Sequence, residues 1–244
     1  MFRVTAAAGG AILRRHAPAG RCRVVTSRNR RRQDADQRVG ARNSARILRA
    51  AKEIFAAKGF DGTRIAEIAE RAGLPKANVY YYFPGKAAIY RAIIDDLLRG
   101  WNAALDCITP EREPDAAIAA YVRAKLAHSR REPTEAKIFA SETIRGARFL
   151  SRVDRAAILA ITRRKAEVIE GWIAAGKLRP VDPRHFFILL WSATQFYAEF
   201  DVMARMALET DRLRAKDFEA AAATITQIVL HGCGMPANQS GAAP

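Results

Sequence analysis

The feature that most constrains this chain is a helical repeat of apolar residues that runs from Ser44 almost to the last residue. Apolar side chains that recur three and four residues apart form one face of an amphipathic helix, and that face has to pack on another helix. The first such stripe consists of Ile47, Ala50, Ala51, Ile54 and Phe55. No stretch alternates apolar and polar residues as a strand would, so the pattern predicts an all-α fold of about nine helices.

Single glycines and prolines set the predicted ends of the helices. Gly59 is placed as the stop of the first helix, and Thr63 as the N-cap of the next one, over residues 64–72. Gly73 separates that helix from a short one that has Pro75 in its first turn and ends near residue 82. The other predicted helices span residues 84–107, 115–131, 133–145, 149–175, 183–206 and 214–232.

Basic residues outnumber acidic ones, with 41 Lys and Arg against 25 Asp and Glu, which gives the chain a formal net charge of +16. Such an excess indicates a polyanionic partner, either nucleic acid or an anionic membrane surface. Residues 1–46 hold 12 arginines and only two acidic residues, so much of the excess lies there. We predict a disordered basic tail over residues 1–43, which an over-extended gene start would also explain, and a flexible tail over residues 233–244.

Several functional classes lack their sequence signatures. No run of 18 apolar residues predicts a transmembrane helix, and we expect no membrane partner. The three cysteines and four histidines are scattered without the spacing of a zinc site, so we expect no metal, no cofactor and a reducing compartment. A glycine-rich phosphate loop and a recognisable set of catalytic side chains are also missing, which argues against an enzyme.

The segment around Ala72–Leu74 has the dimensions of a helix-turn-helix, the unit that places its second helix in the major groove of DNA. Apolar residues at positions 65, 68, 74 and 79 would hold the two helices together. The second helix then turns outward Lys76, Ala77, Asn78, Tyr80 and Tyr81. Asparagine can bond adenine in a bidentate way, lysine can bond guanine or phosphate, and alanine can meet a thymine methyl group. We therefore predict that residues 44–90 bind DNA.

The longer pattern of residues 44–90 resembles the DNA-binding domain of TetR-family repressors. The resemblance rests on four segments in order, which are Phe55–Thr63, Ile65–Ala69, Ala72–Leu74 and Val79–Lys86. It implies phosphate contacts from Thr63, Tyr80, Tyr82 and Lys86, and base contacts from Arg64, Lys76, Ala77, Asn78 and Tyr81. Pro75 departs from the small polar residue that is common in the family, which puts one further phosphate contact in doubt.

Residues 91–232 resemble the RutR-like branch of the same family. The shared segments are Val122–Leu126, Gly171–Leu178, Val181–His185 and Trp191–Phe200. That branch regulates pyrimidine use, so the resemblance implies a ligand-binding and dimerisation domain with uracil or thymine as the effector. A regulator of the same fold that senses an unrelated small molecule is the alternative, and it stays open.

A neutral pyrimidine presents carbonyl and N–H groups on a flat ring, so its pocket needs an amide and aromatic walls in an apolar cavity. Gln195 and Trp191 lie four residues apart on one predicted helix face, and Trp101 lies towards the end of the helix that follows the DNA-binding segment. The candidate ligand-binding residues are Trp101, Phe139, Glu142, Phe149, Trp191 and Gln195. The alternative is that the aromatic residues among them only fill the core.

The last two predicted helices carry apolar stripes, in the final one at Phe218, Ala221, Ala222, Ile225, Ile228 and Val229. The resemblance implies that they pack on the same helices of a second subunit, and a two-fold homodimer matches a pseudo-palindromic operator. The leading hypothesis is a transcriptional repressor of the bacterial cytoplasm, associated with the nucleoid, that responds to a small molecule. A basic protein that binds nucleic acid without sequence preference is the alternative from another class.

Overall fold

The computed structural model describes residues 27–234, with side chains from Gln37 onward, so the predictions for the rest of both tails lie outside the described residues. Within this range the chain forms ten α-helices, one 3-10 turn and no strand. The helices are α1 (Ser27–Gly62), α2 (Ile65–Ala72), α3 (Lys76–Tyr82), α4 (Lys86–Ala104), α5 (Pro114–Arg131), α6 (Pro133–Ile144), α7 (Arg152–Ala174), α8 (Pro183–Glu199), α9 (Asp201–Ala207) and α10 (Ala215–Gly232). The predicted all-α fold is confirmed, with ten helices in place of about nine.

The chain divides into two compact units, Met1–Ala41 and Arg42–Pro244. Of the first unit the structure describes residues 27–41, and these are helical. This corrects the expectation of disorder up to residue 43, because α1 begins at Ser27. The segment has no proline, a single glycine at Gly40, and many arginine, glutamine and alanine residues that favour a helix, so nothing in it prevents this early start.

The turn between α1 and α2 differs in one detail from the prediction. Gly59 leaves the helical conformation (φ 68°, ψ 179°), which confirms it as the stop of the regular part of α1. The N-cap of α2, however, is Arg64, whose backbone N–H donates to the Glu67 side chain at 3.3 Å. The prediction of Thr63 as the N-cap is wrong, because the Thr63 hydroxyl turns back and donates to the Gly59 carbonyl at 2.7 Å.

The predicted helix over residues 183–206 is two helices, because the backbone at Phe200 leaves the helical region (φ −119°, ψ 43°). The new helix α9 starts with Asp201, whose negative charge interacts favourably with a helix N-terminus and pairs with Lys137 of α6 at 2.6 Å. Phe196 and Phe200 stack across the break with 5.4 Å between ring centroids. Neither proline nor glycine marks this position, so the helical period alone does not reveal the break.

Two buried clusters form the interior of the larger unit. The first joins α1, α2, α3 and α4 and extends to Ile138 on α6. The second lies mainly among α5, α7, α8 and α10 and includes Tyr121, Trp172 and Phe187. The predicted domain boundary after residue 90 therefore falls inside α4, which continues unbroken from the first cluster to Ala104 at the edge of the second. This continuous helix connects the DNA-binding segment to the rest of the chain.

The apolar stripe of α10 lies mostly inside the chain. Phe218, Ala221, Ala222 and Val229 are buried within the second cluster, and Ile225 packs against it. Only Ile228 of the predicted set is exposed, at 66%. The expectation that this stripe contacts a second subunit is therefore wrong for the buried residues, because their apolar area is already covered by the chain's own helices.

Gly73 in the turn between α2 and α3 has a left-handed backbone (φ 61°) that favours glycine. We expect Gly73→Ala to lower the free energy of unfolding by roughly 1–2 kcal/mol, the cost of placing an L-residue in that region. The added Cβ would also come within 2.9 Å of the Arg46 guanidinium, which must shift. Chemical denaturation measures the change.

Gly85→Ala is the matched control for this substitution. Its φ of 169° is ordinary extended backbone, and no heavy atom lies within 4 Å of the Cβ that would be added. We expect a change below about 0.5 kcal/mol. Equal losses for the two variants would contradict the role given to the backbone of Gly73.

Candidate nucleic-acid interface and ligand cavity

The turn after α2 determines which face of α3 reaches solvent. The backbone N–H groups of Gly73 and Leu74 donate to the carbonyls of Glu70 and Ala69, at 2.9 and 3.0 Å, and these bonds close α2. Val79 of α3 is fully buried in the cluster formed with α1, α2 and α4. Because a helix has one inward face, anchoring Val79 leaves the opposite side of α3 exposed.

The exposed side of α3 consists of Lys76, Ala77, Asn78, Tyr80 and Tyr81, which we call the reading face. All five residues are exposed as the sequence predicts, Tyr81 at 83% and Tyr80 at 47%. The Lys76 ammonium lies 5.9 Å from the centre of the Tyr80 ring. The face thus presents a cation, an amide and two phenols, which are groups that bond base edges and phosphates.

Tyr82 is half-buried and lies beside the reading face. Its hydroxyl accepts a hydrogen bond from the Asn43 side chain of α1 at 3.2 Å, which ties the end of α3 to α1. A phenol that accepts in this way keeps its own hydrogen free for an oxygen acceptor such as a phosphate. The placement is therefore compatible with the phosphate contact that the resemblance implies.

Thr63 and Lys86 have internal roles that the sequence did not predict. Thr63 is only 2% exposed and its hydroxyl is bonded to Gly59, so the expected phosphate contact from this side chain does not fit the structure. The Lys86 ammonium donates to the Thr63 carbonyl at 2.8 Å and lies 4.4 Å from the centre of the Phe60 ring. It stabilises the turn before α2, while Arg64 in the same turn is exposed.

A polar contact connects this turn to the segment between α6 and α7. Asp61 accepts a hydrogen bond from Arg148 at 2.8 Å and lies 3.8 Å from Arg145. The hydrogen bond from Arg148 lowers the pKa of Asp61 below its usual range. The Arg148 guanidinium also lies 5.0 Å from the centre of the Phe60 ring, so charge and aromatic contacts coincide at this point.

Two of the predicted ligand residues, Glu142 and Phe149, lie at this same place. Glu142 is buried and accepts hydrogen bonds from the Tyr90 hydroxyl at 3.3 Å and from the Phe149 backbone N–H at 2.6 Å. The Phe149 ring packs on Phe60 and Tyr90, with centroids 4.4 and 4.9 Å apart. Their prediction as cavity residues is wrong, because neither lines the cavity. Hydrogen bonds from Tyr90 and Phe149 instead hold the Glu142 carboxylate next to the DNA-binding segment.

The other four predicted ligand residues line one cavity of about 230 Å³. Trp101 comes from α4, Phe139 from α6, and Trp191 and Gln195 from α8. Trp101 and Phe139 meet edge to face with 4.8 Å between centroids. A cavity of about 150 Å³ holds benzene, so this one has room for a single substituted ring.

The sequence did not single out Lys125, which also lines the cavity. It is 1% exposed, and its ammonium lies 4.0 Å from the centre of the Trp101 ring. Burial lowers the pKa of Lys125 to about 7, because the loss of water disfavours the charged ammonium and the negative charge of Glu199 opposes this only in part. The sequence does contain a sign that Lys125 is buried, because it follows Tyr121 by one helical turn on the buried stripe of α5.

Gln195 is oriented by a second polar residue of α8. Its amide nitrogen donates to Glu199 at 2.8 Å, one turn further along the helix. Burial raises the pKa of Glu199, while this hydrogen bond and the charge of Lys125 oppose the rise. Since the amide nitrogen is bonded to Glu199, the amide oxygen of Gln195 is the group left to accept a hydrogen bond from a ligand.

Two family matches cover almost all of the larger unit. Residues 47–93 match bacterial regulatory proteins of the tetR family, and residues 94–236 match the C-terminal region of YcdC-like proteins. The chain belongs to the TetR family. It is therefore a DNA-binding transcriptional regulator with a helix-turn-helix in α2 and α3, and its family is not one of enzymes.

Within this TetR-family group, the chain is 41% identical to the HTH-type transcriptional regulator RutR of Escherichia coli (strain K12). The match extends over 162 residues, which are 66% of this chain and 76% of RutR. It also resembles, over 28% of this chain and 32% of the relative, the HTH-type transcriptional activator FasR of Mycolicibacterium smegmatis, at 35% identity. The first match supports the RutR-like branch.

Solved structures share the TetR-family fold. A bacterial regulatory protein in the tetR family from Rhodococcus RHA1 aligns with a TM-score of 0.60 and 24% identity, over 80% of this chain and 98% of that one. The regulator PfmR from Thermus thermophilus aligns with a TM-score of 0.55 and 23% identity, over 84% of this chain and 97% of that one.

In the part of our chain that is described, no helix combines the length and apolar character needed to cross a bilayer.

The buried ammonium of Lys125 predicts a pH-dependent gain in stability for Lys125→Met. Between the folded pKa of about 7 and the ordinary value of 10.5, the unfolded chain holds a proton that the folded chain lacks, so wild-type stability rises with pH. Methionine carries no charge, so the variant does not lose folding free energy by giving up a proton when the side chain is buried. We expect it to be more stable by about 2–4 kcal/mol near neutral pH, since one pKa unit is about 1.4 kcal/mol, and the difference to vanish as pH rises through the unfolded pKa.

Urea denaturation at a series of pH values measures this difference. Lys177→Met is the control, because Lys177 forms an exposed ion pair with Glu113 at 2.6 Å and its loss should change stability by less than about 1 kcal/mol. A gain for Lys125→Met that stays constant with pH would show that the ammonium is not destabilised by burial.

Proposed function

We propose that this protein is a homodimeric repressor that binds a pseudo-palindromic operator in the bacterial cytoplasm, at the nucleoid, and responds to a small planar effector. Uracil and thymine are the first candidates for the effector. The observation that carries the proposal is the reading face, which the burial of Val79 holds outward on α3. Its side chains match the chemistry of base edges, so the proposal does not depend on net charge.

Repression of one operator needs two such faces, because half-sites one helical turn apart are read by two-fold related subunits. Support for a dimer comes from large apolar side chains that remain exposed on α8, α9 and α10 and in the breaks beside them. They are Ile188, Leu189, Phe196, Phe200, Val202, Met203, Met206, Leu208 and Ile228. Large apolar side chains that stay exposed in such number are typical of a protein–protein interface.

Helix α4 offers a path by which a bound effector could change the position of the reading face. This helix carries Lys86, bonded to the turn before α2, at one end and Trp101, in the cavity wall, near the other. A ligand that contacts Trp101 more favourably in one position of α4 would bias the spacing of two reading faces in a dimer. Repression relieved by the effector is the simplest result of such a bias.

Support for a pyrimidine comes from the cavity and from the RutR relative. The cavity has the size of one substituted ring, aromatic walls from Trp101 and Trp191, and the free amide oxygen of Gln195. A regulator that senses an unrelated molecule has the same fold, so ligand identity needs a direct test. Thermal shift of the purified protein with uracil, thymine and other planar metabolites distinguishes a pyrimidine effector from an unrelated one, since only bound ligands raise the melting temperature.

Asn78→Ala tests base readout by the reading face. We expect a loss of about 1–3 kcal/mol in operator binding, together with relaxed preference at one base pair in each half-site. Footprinting first locates the protected palindrome, and titration of operators changed one base pair at a time then gives the preference. Absence of a protected palindrome would overturn the proposed function itself.

Glu70→Ala is the control for that experiment, because Glu70 is exposed on α2 and carries no predicted base contact. Removal of its negative charge should raise affinity for all DNA sequences by a similar factor and leave base preference unchanged. A change in base preference as large as that of Asn78→Ala would contradict the assignment of readout to α3.

Leu189→Lys tests the proposed dimer interface. Leu189 is 55% exposed on α8, and a charge placed within a buried apolar interface should shift the protein to monomers and weaken operator binding. Val153→Lys is the control, because Val153 is equally apolar and 76% exposed, but lies on α7, which contributes no residue to the proposed interface. Sedimentation equilibrium gives the masses, and a Leu189→Lys protein that remains dimeric would exclude this face.

A further inference from the structure

The first turns of α1 are rich in arginine and precede the buried apolar stripe of that helix. We call residues 27–42 the arginine segment, and its six arginines are Arg28, Arg30, Arg31, Arg32, Arg38 and Arg42. Only Asp34 and Asp36 oppose their charge within the segment. The segment is helical, and the described side chains of Arg38 and Arg42 are both exposed. These two guanidinium groups are therefore accessible to a partner.

Two side-chain contacts fix the chain directly after this segment against the helix-turn-helix. Asn43 donates a hydrogen bond to the Tyr82 hydroxyl at 3.2 Å, beside the reading face. Arg46, one helical turn after Arg42, donates to the Ala72 carbonyl at the end of α2 at 2.7 Å. Since Arg42 is the neighbour of Asn43 in the chain, the arginine segment is tethered beside α3.

The length of the segment limits what its arginines can reach. An α-helix rises 1.5 Å per residue, so residues 27–41 stay within about 22 Å of their attachment at Arg42. Duplex DNA carries one phosphate charge for about every 1.7 Å of its axis, so DNA on the reading face brings on the order of ten phosphates into this range. Each phosphate that an arginine neutralises releases a condensed cation, and this release favours binding.

The composition of the segment favours DNA over an anionic membrane surface as the partner. A helix that lies on a membrane buries aromatic or leucine side chains among the lipids. The arginine segment contains one large apolar residue, Val39. It offers positive charge without an apolar face, which suits the phosphate backbone of DNA.

We propose that the arginine segment is a second DNA contact, which binds the phosphate backbone next to each half-site read by α3. This inference rests on the proposed function, since it adds a contact to the same operator complex. Arginine suits this role because its guanidinium donates paired hydrogen bonds to phosphate oxygens. Phosphate contacts carry no base information, so the segment raises affinity for every sequence and leaves base preference to the reading face.

The salt dependence of operator binding measures this contact. The test protein is the full chain with Arg38→Gln and Arg42→Gln, which removes up to four phosphate contacts from a two-fold dimer. Each contact contributes about 0.9 to the slope of log K against log salt, so the slope should become shallower by about three to four. We expect roughly tenfold weaker binding at physiological salt, with unchanged preference among operators altered at one base pair.

Two matched variants separate phosphate binding from total charge and from folding. Arg163→Gln with Arg164→Gln removes the same charge from exposed positions of α7, and the slope should then change by less than about one. Arg38→Lys with Arg42→Lys keeps both charges and should retain most of the slope. Thermal unfolding checks that each variant is folded.

Hydroxyl-radical footprinting locates the contact on an operator embedded in long unrelated flanks. The wild-type protein should protect backbone positions next to each half-site, whatever the sequence there. A protein in which glutamine replaces four arginines should lose this added protection and keep the palindrome. The four substitutions are Arg28→Gln, Arg30→Gln, Arg31→Gln and Arg32→Gln.

Each result decides the inference. A slope that changes no more in the Arg38 and Arg42 variant than in the α7 variant overturns it, as does a protected palindrome without added protection. Arginine-dependent binding to phosphatidylglycerol vesicles with an unchanged operator slope assigns the segment to a membrane surface and also overturns it. If no palindrome is protected, the proposed function fails separately, and an arginine-dependent slope on unrelated duplex DNA still supports the segment as a DNA contact.

Discussion

Four aromatic rings join the DNA-binding helices to the rest of this protein. Phe55 and Phe60 from α1 pack on Tyr90 of α4, with centroids 4.9 and 5.1 Å apart, and Phe149 closes the group. The buried Tyr90 hydroxyl has Glu142 of α6 as its acceptor, so this apolar cluster contains no unpaired hydroxyl. The position of α3, and therefore of the reading face, depends on how these rings hold α1 and α4.

The same helices connect the reading face to the cavity. α4 passes from Tyr90 in the aromatic group to Trp101 in the cavity wall, and α6 carries Phe139 in the wall one turn before Glu142. Packed interiors resist deformation, so a displacement of Trp101 or Phe139 would be transmitted to the aromatic group. Two helices, α4 and α6, therefore connect the cavity to the aromatic group that holds the DNA-binding helices.

Much of the DNA-binding segment could be predicted from residues near one another in sequence. The stop at Gly59, the turn at Gly73 and the exposure of Asn78 follow from backbone preference and helical period, which are local properties. The failed prediction for Thr63 and the unpredicted internal contact of Lys86 have a different origin. Their hydrogen-bond partners are backbone carbonyls of the α1–α2 turn, and the geometry of that turn decides whether such a group faces solvent.

The sequence by itself determined the all-helical class, the helix-turn-helix and the outward residues of α3, because periodicity and glycine placement act over a few residues. Only the tertiary structure decided which aromatic and polar residues share the cavity. In it Trp101, Phe139 and Gln195 line one cavity, Glu142 bonds to Tyr90 outside that cavity, and Lys125 is buried beside Trp101. The reason is physical: a helix face specifies that a residue is buried, but the crossing of distant helices specifies what it is buried against.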